Sequence, residues 1–301
     1  MDVFAEGLQF PEGPVAMADG SVILVETRRG TLSKVDPSGS ISIVAELGGG
    51  PNGAAIGPGG WVYVCNNGGF EWHDFGGVVI PGDLPADYVG GSIQRVQLAT
   101  GKVETLYTEC DGRPLRGPND LVFDDAGGFW FTDHGKSTPA GIDHGRVIYA
   151  MADGSAIHCA LDRLHGPNGI GLSPDGHTLY FAETPTARLW ACGVAAPGQL
   201  GPPPAPWAPG VLRPSLPGHQ LYDSLKVESG GNVCVGTLIN GGIAVVGPDS
   251  CEHVAFPEIG ITNLCFGGQD LRTTWATASS SGRLYRGRWP RPGLKLAHQI
   301  A

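Results

Sequence analysis

His165-Gly166-Pro167-Asn168-Gly169-Ile170-Gly171-Leu172-Ser173 runs through Pro174-Asp175-Gly176 into Thr178-Leu179-Tyr180-Phe181-Ala182-Glu183. It reads as a turn, a short buried strand, a tight Pro-Asp-Gly turn and a second strand. The phrase recurs. Pro51-Asn52-Gly53-Ala54-Ala55-Ile56 leads through Gly57-Pro58-Gly59-Gly60 to Trp61-Val62-Tyr63-Val64-Cys65, and Gly117-Pro118-Asn119-Asp120-Leu121-Val122-Phe123 leads to Phe129-Trp130-Phe131-Thr132-Asp133. Weaker copies begin at Phe10-Pro11-Glu12-Gly13-Pro14, Leu221-Tyr222-Asp223-Ser224-Leu225 and Ile261-Thr262-Asn263-Leu264-Cys265. In each, one polar residue stands just ahead of an apolar strand: Glu12, Asn52, Asn119, Asn168, Asp223 and Asn263.

These six positions lie roughly 40 to 67 residues apart, the spacing of a propeller array with several short strands per repeat. The chain is therefore predicted to be all-β: a six-bladed propeller of four-stranded antiparallel blades, forming one domain over residues 1–301. Ring closure needs a strand from one terminus to complete the blade at the other. Val3-Phe4-Ala5-Glu6-Gly7-Leu8 is assigned that role, beside Arg283-Leu284-Tyr285-Arg286-Gly287-Arg288-Trp289. Closure removes exposed sheet edges, which invite aggregation. If each key residue opens an innermost strand, all six converge on one end of a central channel.

Composition agrees with a single closed β fold. The 49 glycines and 25 prolines fall at turns and form no low-complexity tract, and 41% hydrophobic residues suffice for a core. With 19 Lys and Arg against 29 Asp and Glu, the net charge is −10 and no basic run occurs. That argues against nucleic acid or an anionic membrane as partner. No basic and apolar leader opens the chain, and no run approaches the length of a membrane span. Seven cysteines without a C-x-x-C, most of them inside predicted strands, read as buried reduced thiols and suggest the cytoplasm. Oligomeric state is left open.

Strand direction sorts the loops. The segment 67–91, carrying Phe70, Trp72, His73 and Tyr88, joins strands two and three of blade two and is expected to overhang the channel mouth. Residues 134–145, with His134, Lys136, Asp143 and His144, do the same from blade three. The proline-rich run 197–217 starts on the opposite face and reads as an extended spacer.

Glu12, Asn119, Asn168 and Asp223 offer two carboxylates and two amide carbonyls. Oxygen-only donors suit one divalent cation, Ca²⁺ first, with Mg²⁺, Mn²⁺ or Zn²⁺ as alternatives. Two carboxylates crowded in a low-dielectric channel repel each other unless a cation lies between them. Gly-Pro-Asn is also ordinary turn chemistry, but turns do not call for Glu, and six copies in register exceed what turns require.

Phe-Pro-Glu-Gly-Pro, Gly-Pro-Asn-Asp, Gly-Pro-Asn-Gly-Ile and Thr-Asn-Leu-Cys-Phe-Gly-Gly resemble the gluconolactonase and regucalcin (senescence marker protein) family of six-bladed propellers, over roughly residues 8–289. The resemblance implies one bound divalent cation, most often Ca²⁺ and in some members Zn²⁺, and hydrolysis of lactones or related esters. By motif, Glu12, Asn168 and Asp223 match the family's central ligands. Asn119 matches a residue facing metal and substrate, counted as a fourth ligand in related phosphotriesterase-like propellers. Asp223 matches the residue assigned a base or nucleophile role.

The chain departs from the family in three places. Gly117 stands where animal gluconolactonases carry a sugar-holding Arg, with Arg116 adjacent; His134 follows Asp133 where many bacterial members have Pro; and the aromatic 67–91 insert is long. The expected reaction is cation polarisation of a lactone carbonyl and attack by water, activated by Asp223 or by the cation. Asn119, Arg116, Asn52, Trp72 and His134 are the candidate substrate contacts, and a lid histidine pair, His73 or His134, is a candidate base. A broader esterase or organophosphate hydrolase, and a non-catalytic calcium- or ligand-binding propeller, are the competing readings.

Overall fold

A computed structural model describes residues 1–299. Six antiparallel sheets follow one another along the chain as the blades of a six-bladed propeller. Blade one is built from Pro11–Ala16, Val22–Glu26, Thr31–Val35 and Ile41–Glu46. Blade two uses Pro51–Ile56, Trp61–Asn66, Ser92–Gln97 and Lys102–Tyr107. Blade three uses Pro118–Phe123, Gly128–Asp133, Gly145–Met151 and Ile157–Leu164. Blade five runs from Tyr222–Val227 to Cys251–Ala255. In blade six, Ile261–Gly267, Thr273–Ala278 and Arg283–Arg288 are completed by Asp2–Glu6, with Asp2 opposite Arg286 and Val3 opposite Tyr285. The N-terminal strand thus closes the ring where the sequence placed it.

Blade four differs from the spacer expectation. After Pro167–Leu172, Thr178–Glu183 and Arg188–Ala196, its outer edge is made of two short pieces, Gln199–Leu200 and Val211–Leu212, both drawn from within the proline-rich run. Prolines lack the N–H a longer ladder needs, so the run yields two strands of two residues each and otherwise crosses the surface.

Innermost strands are buried along nearly their whole length, whereas outer strands alternate towards solvent. The core is divided into six apolar clusters, one at each blade interface. Val25 and Leu32 of blade one meet Ile56 and Val62 of blade two, and Ala16 and Leu24 meet Trp275 and Leu284 of blade six. Each blade is therefore stabilised by its neighbours on both sides, burying the faces it could not bury alone. The inner strands approach so closely that a Cβ at Gly53 would run into the Asn119 carbonyl oxygen, which explains the glycine after Asn52.

Two further features frame the channel. In four blades the last residue of strand two accepts a backbone N–H from the turn ahead of strand one: Glu26 from Gln9, Asn66 from Gly50, Asp133 from Arg116, and Glu183 from His165. These acceptors fix the turn that delivers the key residue. At the opposite end of the channel, Leu294, Leu296, Ala297 and Gln299 close over an apolar cavity of ≈ 50 Å³ lined by Val15, Ile56, Leu121 and Phe266. All seven cysteines are free thiols, five of them buried. Among the described residues no helix is long and apolar enough to cross a membrane.

Candidate metal centre and channel mouth

Every innermost strand carries a register irregularity at the repeated motif: between Glu12 and Val15, Pro51 and Ala54, Pro118 and Leu121, Pro167 and Ile170, Tyr222 and Leu225, and Ile261 and Asn263. A bulge breaks strict alternation and re-aims a side chain. Repeated six times, it brings one polar residue per blade to the same level of the ring.

At that level Glu12 is only 2% exposed. Its Oε2 accepts from the Gly13 N–H at 3.0 Å and from Asn263 Nδ2 at 3.1 Å. Burial pushes its carboxyl up to about 7 despite these bonds. Asp223 is also buried; burial, followed by the negative charge of Glu12, raises its carboxyl well above the usual range. Its Oδ1 accepts from the Ser224 N–H at 2.9 Å. Asn168 donates through Nδ2 to Thr184 Oγ1 at 3.0 Å, and its Oδ1 accepts from Ser224 Oγ at 3.3 Å. Asn119 Oδ1 is buried with no hydrogen-bond partner among the described residues. Asn52 donates through Nδ2 to the Asn119 carbonyl at 3.3 Å, bracing the neighbouring blade.

This donor set fits a divalent cation. An orphaned buried amide oxygen is disfavoured, and so is a buried Asp223 carboxylate facing the charge of a buried Glu12. A hard cation satisfies both defects at once, and four protein oxygens leave about two to four positions of a Ca²⁺ shell for water and substrate. Just beyond this layer lies a pair that the sequence reading did not single out. Lys226 Nζ reaches from blade five to Asp120 Oδ2 of blade three at 3.2 Å, and Asp120 is fully buried. Neither residue type repeats between blades, so periodicity carries no signal for the pair.

Above the ring, the 67–91 segment forms a hairpin, Trp72–Asp74 with Val79–Pro81, whose second strand reaches the turn Ser279–Ser281 of blade six. Trp72 packs against Phe10 with ring centroids 5.0 Å apart and against Phe70 at 5.9 Å. Phe10 lies two residues before Glu12, so the aromatic wall stands beside the candidate centre, as topology predicted. Arg116 lies at the rim, its Nε 2.9 Å from Asp143 Oδ2 and its guanidinium over the Tyr88 ring at 5.3 Å. Asp133 is engaged by Arg146 at 2.6 Å.

The histidine expectation needs correction. His73 is exposed and stacks on Phe75, while His134 lies half-buried against Gly166, so the two form no pair. Burial lowers the His134 pKa, which favours the neutral ring. The close pair is His144 with His165, centroids 5.5 Å apart and both exposed. Loop conformation decides such pairings, and no strand period encodes it. Lys136 is the other surprise. It is buried and engaged with the lid, and burial, then the Arg116 charge, pushes its amine down to about 7.

The sequence profile of the SMP-30/Gluconolactonase/LRE-like region matches residues 10–280. A gluconolactonase of Zymomonas mobilis is 25% identical, covering 90% of this chain and 77% of that protein. A lactonase drp35 of Staphylococcus haemolyticus is 30% identical over 80% of this chain and 66% of its own length. The diisopropyl-fluorophosphatase of Loligo vulgaris is 27% identical over 64% of this chain and 63% of its own length. Among solved structures, a gluconolactonase from Xanthomonas campestris superposes with a TM-score of 0.73 at 22% identity, covering 96% of this chain and 89% of that one. The calcium-binding protein regucalcin from Agrobacterium tumefaciens gives 0.69 at 17%, covering 98% and 100%. With a profile match over most of its length and a propeller built on the matched repeats, the chain belongs to the SMP-30/gluconolactonase/LRE-like family.

Proposed function

We propose that this protein is a divalent-cation-dependent hydrolase that opens small lactones or related esters. The observation that carries the reading is the buried ring of oxygens: the carboxyls of Glu12 and Asp223, both raised by burial and the latter also by Glu12, beside an Asn119 Oδ1 with no partner among the described residues. Glu12, Asn119, Asn168 and Asp223 would hold the cation, Ca²⁺ by donor hardness. When bound, it would polarise the substrate carbonyl and offset the charge developing on its oxygen.

The chain's own residues do the rest. Asp223 keeps Oδ1 on the Ser224 N–H, which leaves Oδ2 to take the proton of the attacking water. That proton then passes to the ring oxygen as the carbonyl carbon–oxygen bond breaks. Asn119, braced by Asn52, orients the carbonyl; Trp72 and Phe10 exclude water on one side, and neutral His134 and Arg116 border the other.

The rim also bears on substrate class. Arg116 is spent on Asp143 and Tyr88, and Gly117 offers no side chain, so the mouth has little to hold a polyhydroxylated sugar lactone. The aromatic wall favours a more apolar lactone or ester, and the similarity to a fluorophosphatase supports a wider ester or organophosphate range as the second reading. Metal analysis with a pH-stat assay on a lactone, aryl ester and organophosphate panel tests both. About one cation per chain and chelator-sensitive turnover are expected, one being the capacity of a single oxygen ring. Turnover that survives complete chelation would overturn the reading.

A further inference from the structure

Lys136 has no part in that chemistry, yet it is 2% exposed and enters no ion pair among the described residues. Its ammonium is fully occupied. Nζ donates to the Gly69 carbonyl at 2.6 Å and to Asn67 Oδ1 at 3.1 Å, and it stands 3.7 Å from the centre of the Phe70 ring. The next residue holds the other leg of the same segment, the Leu84 N–H donating to the Ser137 carbonyl at 3.1 Å. Burying a lysine charge without a carboxylate is unfavourable, and an apolar side chain of equal length would fill the space without that cost. Packing alone therefore does not call for an ammonium here.

We propose that Lys136 is the positioning residue of the lid: from the blade-three loop it clamps the stem of the 67–91 segment and so sets where Phe70 and Trp72 stand over the candidate centre. The contacts run without a gap. Lys136 holds Phe70, Phe70 packs on Trp72, and Trp72 packs on Phe10, two residues from Glu12. Below pH about 7, where the amine is protonated, it is a charge-assisted donor whose bonds are stronger than neutral ones, and its cation–π contact fixes the ring face. The hairpin's own bonds, the ladder of Trp72–Asp74 with Val79–Pro81 together with Glu71 N–H to Asp83 O and Gly82 N–H to Glu71 O, tie it only to itself. Its placement thus depends on the stem.

The test is hydrogen exchange on the full-length protein, comparing wild type with Lys136→Met. The Glu71 and Gly82 amides should exchange faster by about tenfold or more, the worth of one lost charge-assisted hydrogen bond. Blade amides, thermal midpoint and bound-cation content should stay unchanged. Asn67→Ala, which removes one arm of the clamp from the lid side, should give the same local loosening and covers the case in which the Met variant folds poorly. Lid exchange unchanged in the soluble variants would overturn the clamp. The link to substrate choice rests on the hydrolase reading and is tested separately, by a rise in KM for aryl esters with kcat for small aliphatic lactones retained. Faster lid exchange with KM unchanged on every substrate the wild type hydrolyses would overturn that link. The exchange result itself needs no substrate, so it stands or falls apart from the enzymatic reading.

Discussion

Glu12 gives the candidate centre a measurable signature when no cation is bound. Burial lifts its carboxyl from 4.5 to about 7, so between those values the folded chain keeps a proton that the unfolded chain has released. The unfolded state binds fewer protons in that window, and stability must therefore fall as pH rises through it. At about 1.4 kcal/mol per unit, the loss is about 3 kcal/mol, fully absent below pH 4.5 and complete once pH passes about 7. At roughly 2 °C per kcal/mol for a chain of this size, the chelated protein should lose about 6 °C of thermal midpoint from this residue.

Glu12→Gln isolates the effect, because an amide oxygen can still accept from Gly13 and Asn263 while nothing titrates. Calorimetry in chelator at several pH values between 4.5 and 7.5 should show the variant gaining on wild type by that amount as pH rises. Adding Ca²⁺ at pH 7.5 should reverse the order, since the cation favours the ionised carboxylate and binds more tightly as the proton leaves. Parallel curves for the two proteins in chelator would refute the argument that Glu12 is held protonated in an empty oxygen ring.

Two further outcomes follow from the same geometry. Asp223→Asn retains an oxygen donor and removes the proton acceptor. At saturating cation, turnover should fall by roughly 10²–10⁴ while calorimetric titration still finds weakened binding; near-full turnover would remove Asp223 from the proton step. Trp72→Ala takes away the ring between Phe10 and Phe70 and should reorder preferences across the ester panel with cation content constant, whereas uniform loss on all substrates would contradict a lid role.

The fold was legible because repetition multiplies weak signals. A single Gly-Pro-Asn is a turn, but six polar residues ahead of six apolar strands define a ring, and the pairing of Asp2 with Arg286 follows from the need to close it. Glu12, Asn119, Asn168 and Asp223 could be named because they occupy equivalent positions in a repeat. What stayed hidden depends on non-repeating, long-range contacts. The bulges that aim those residues leave no mark in composition. Asp120 and Lys226 meet across the channel from positions 106 residues apart, and Lys136 reaches Asn67 across 69. The histidine pairing failed because His144 and His165 are joined by loop conformation. Gln199–Leu200 and Val211–Leu212 were missed because a proline-rich stretch signals a spacer even where short pieces of it pair.

The stopper formed by Leu294, Leu296 and Ala297 has a consequence for traffic through the bore if the protein is the hydrolase proposed above. A propeller bore open at both ends would let a substrate arrive from one side and the acid formed by ring opening leave from the other. Here apolar side chains of the C-terminal segment cover the far end beneath the Asp120–Lys226 pair, which leaves only a cavity of ≈ 50 Å³ there. On the hydrolase reading, substrate would enter and the hydroxy acid would leave by the same mouth beside Trp72. Inhibition by product should accordingly be competitive with substrate, and non-competitive inhibition would show a second way out.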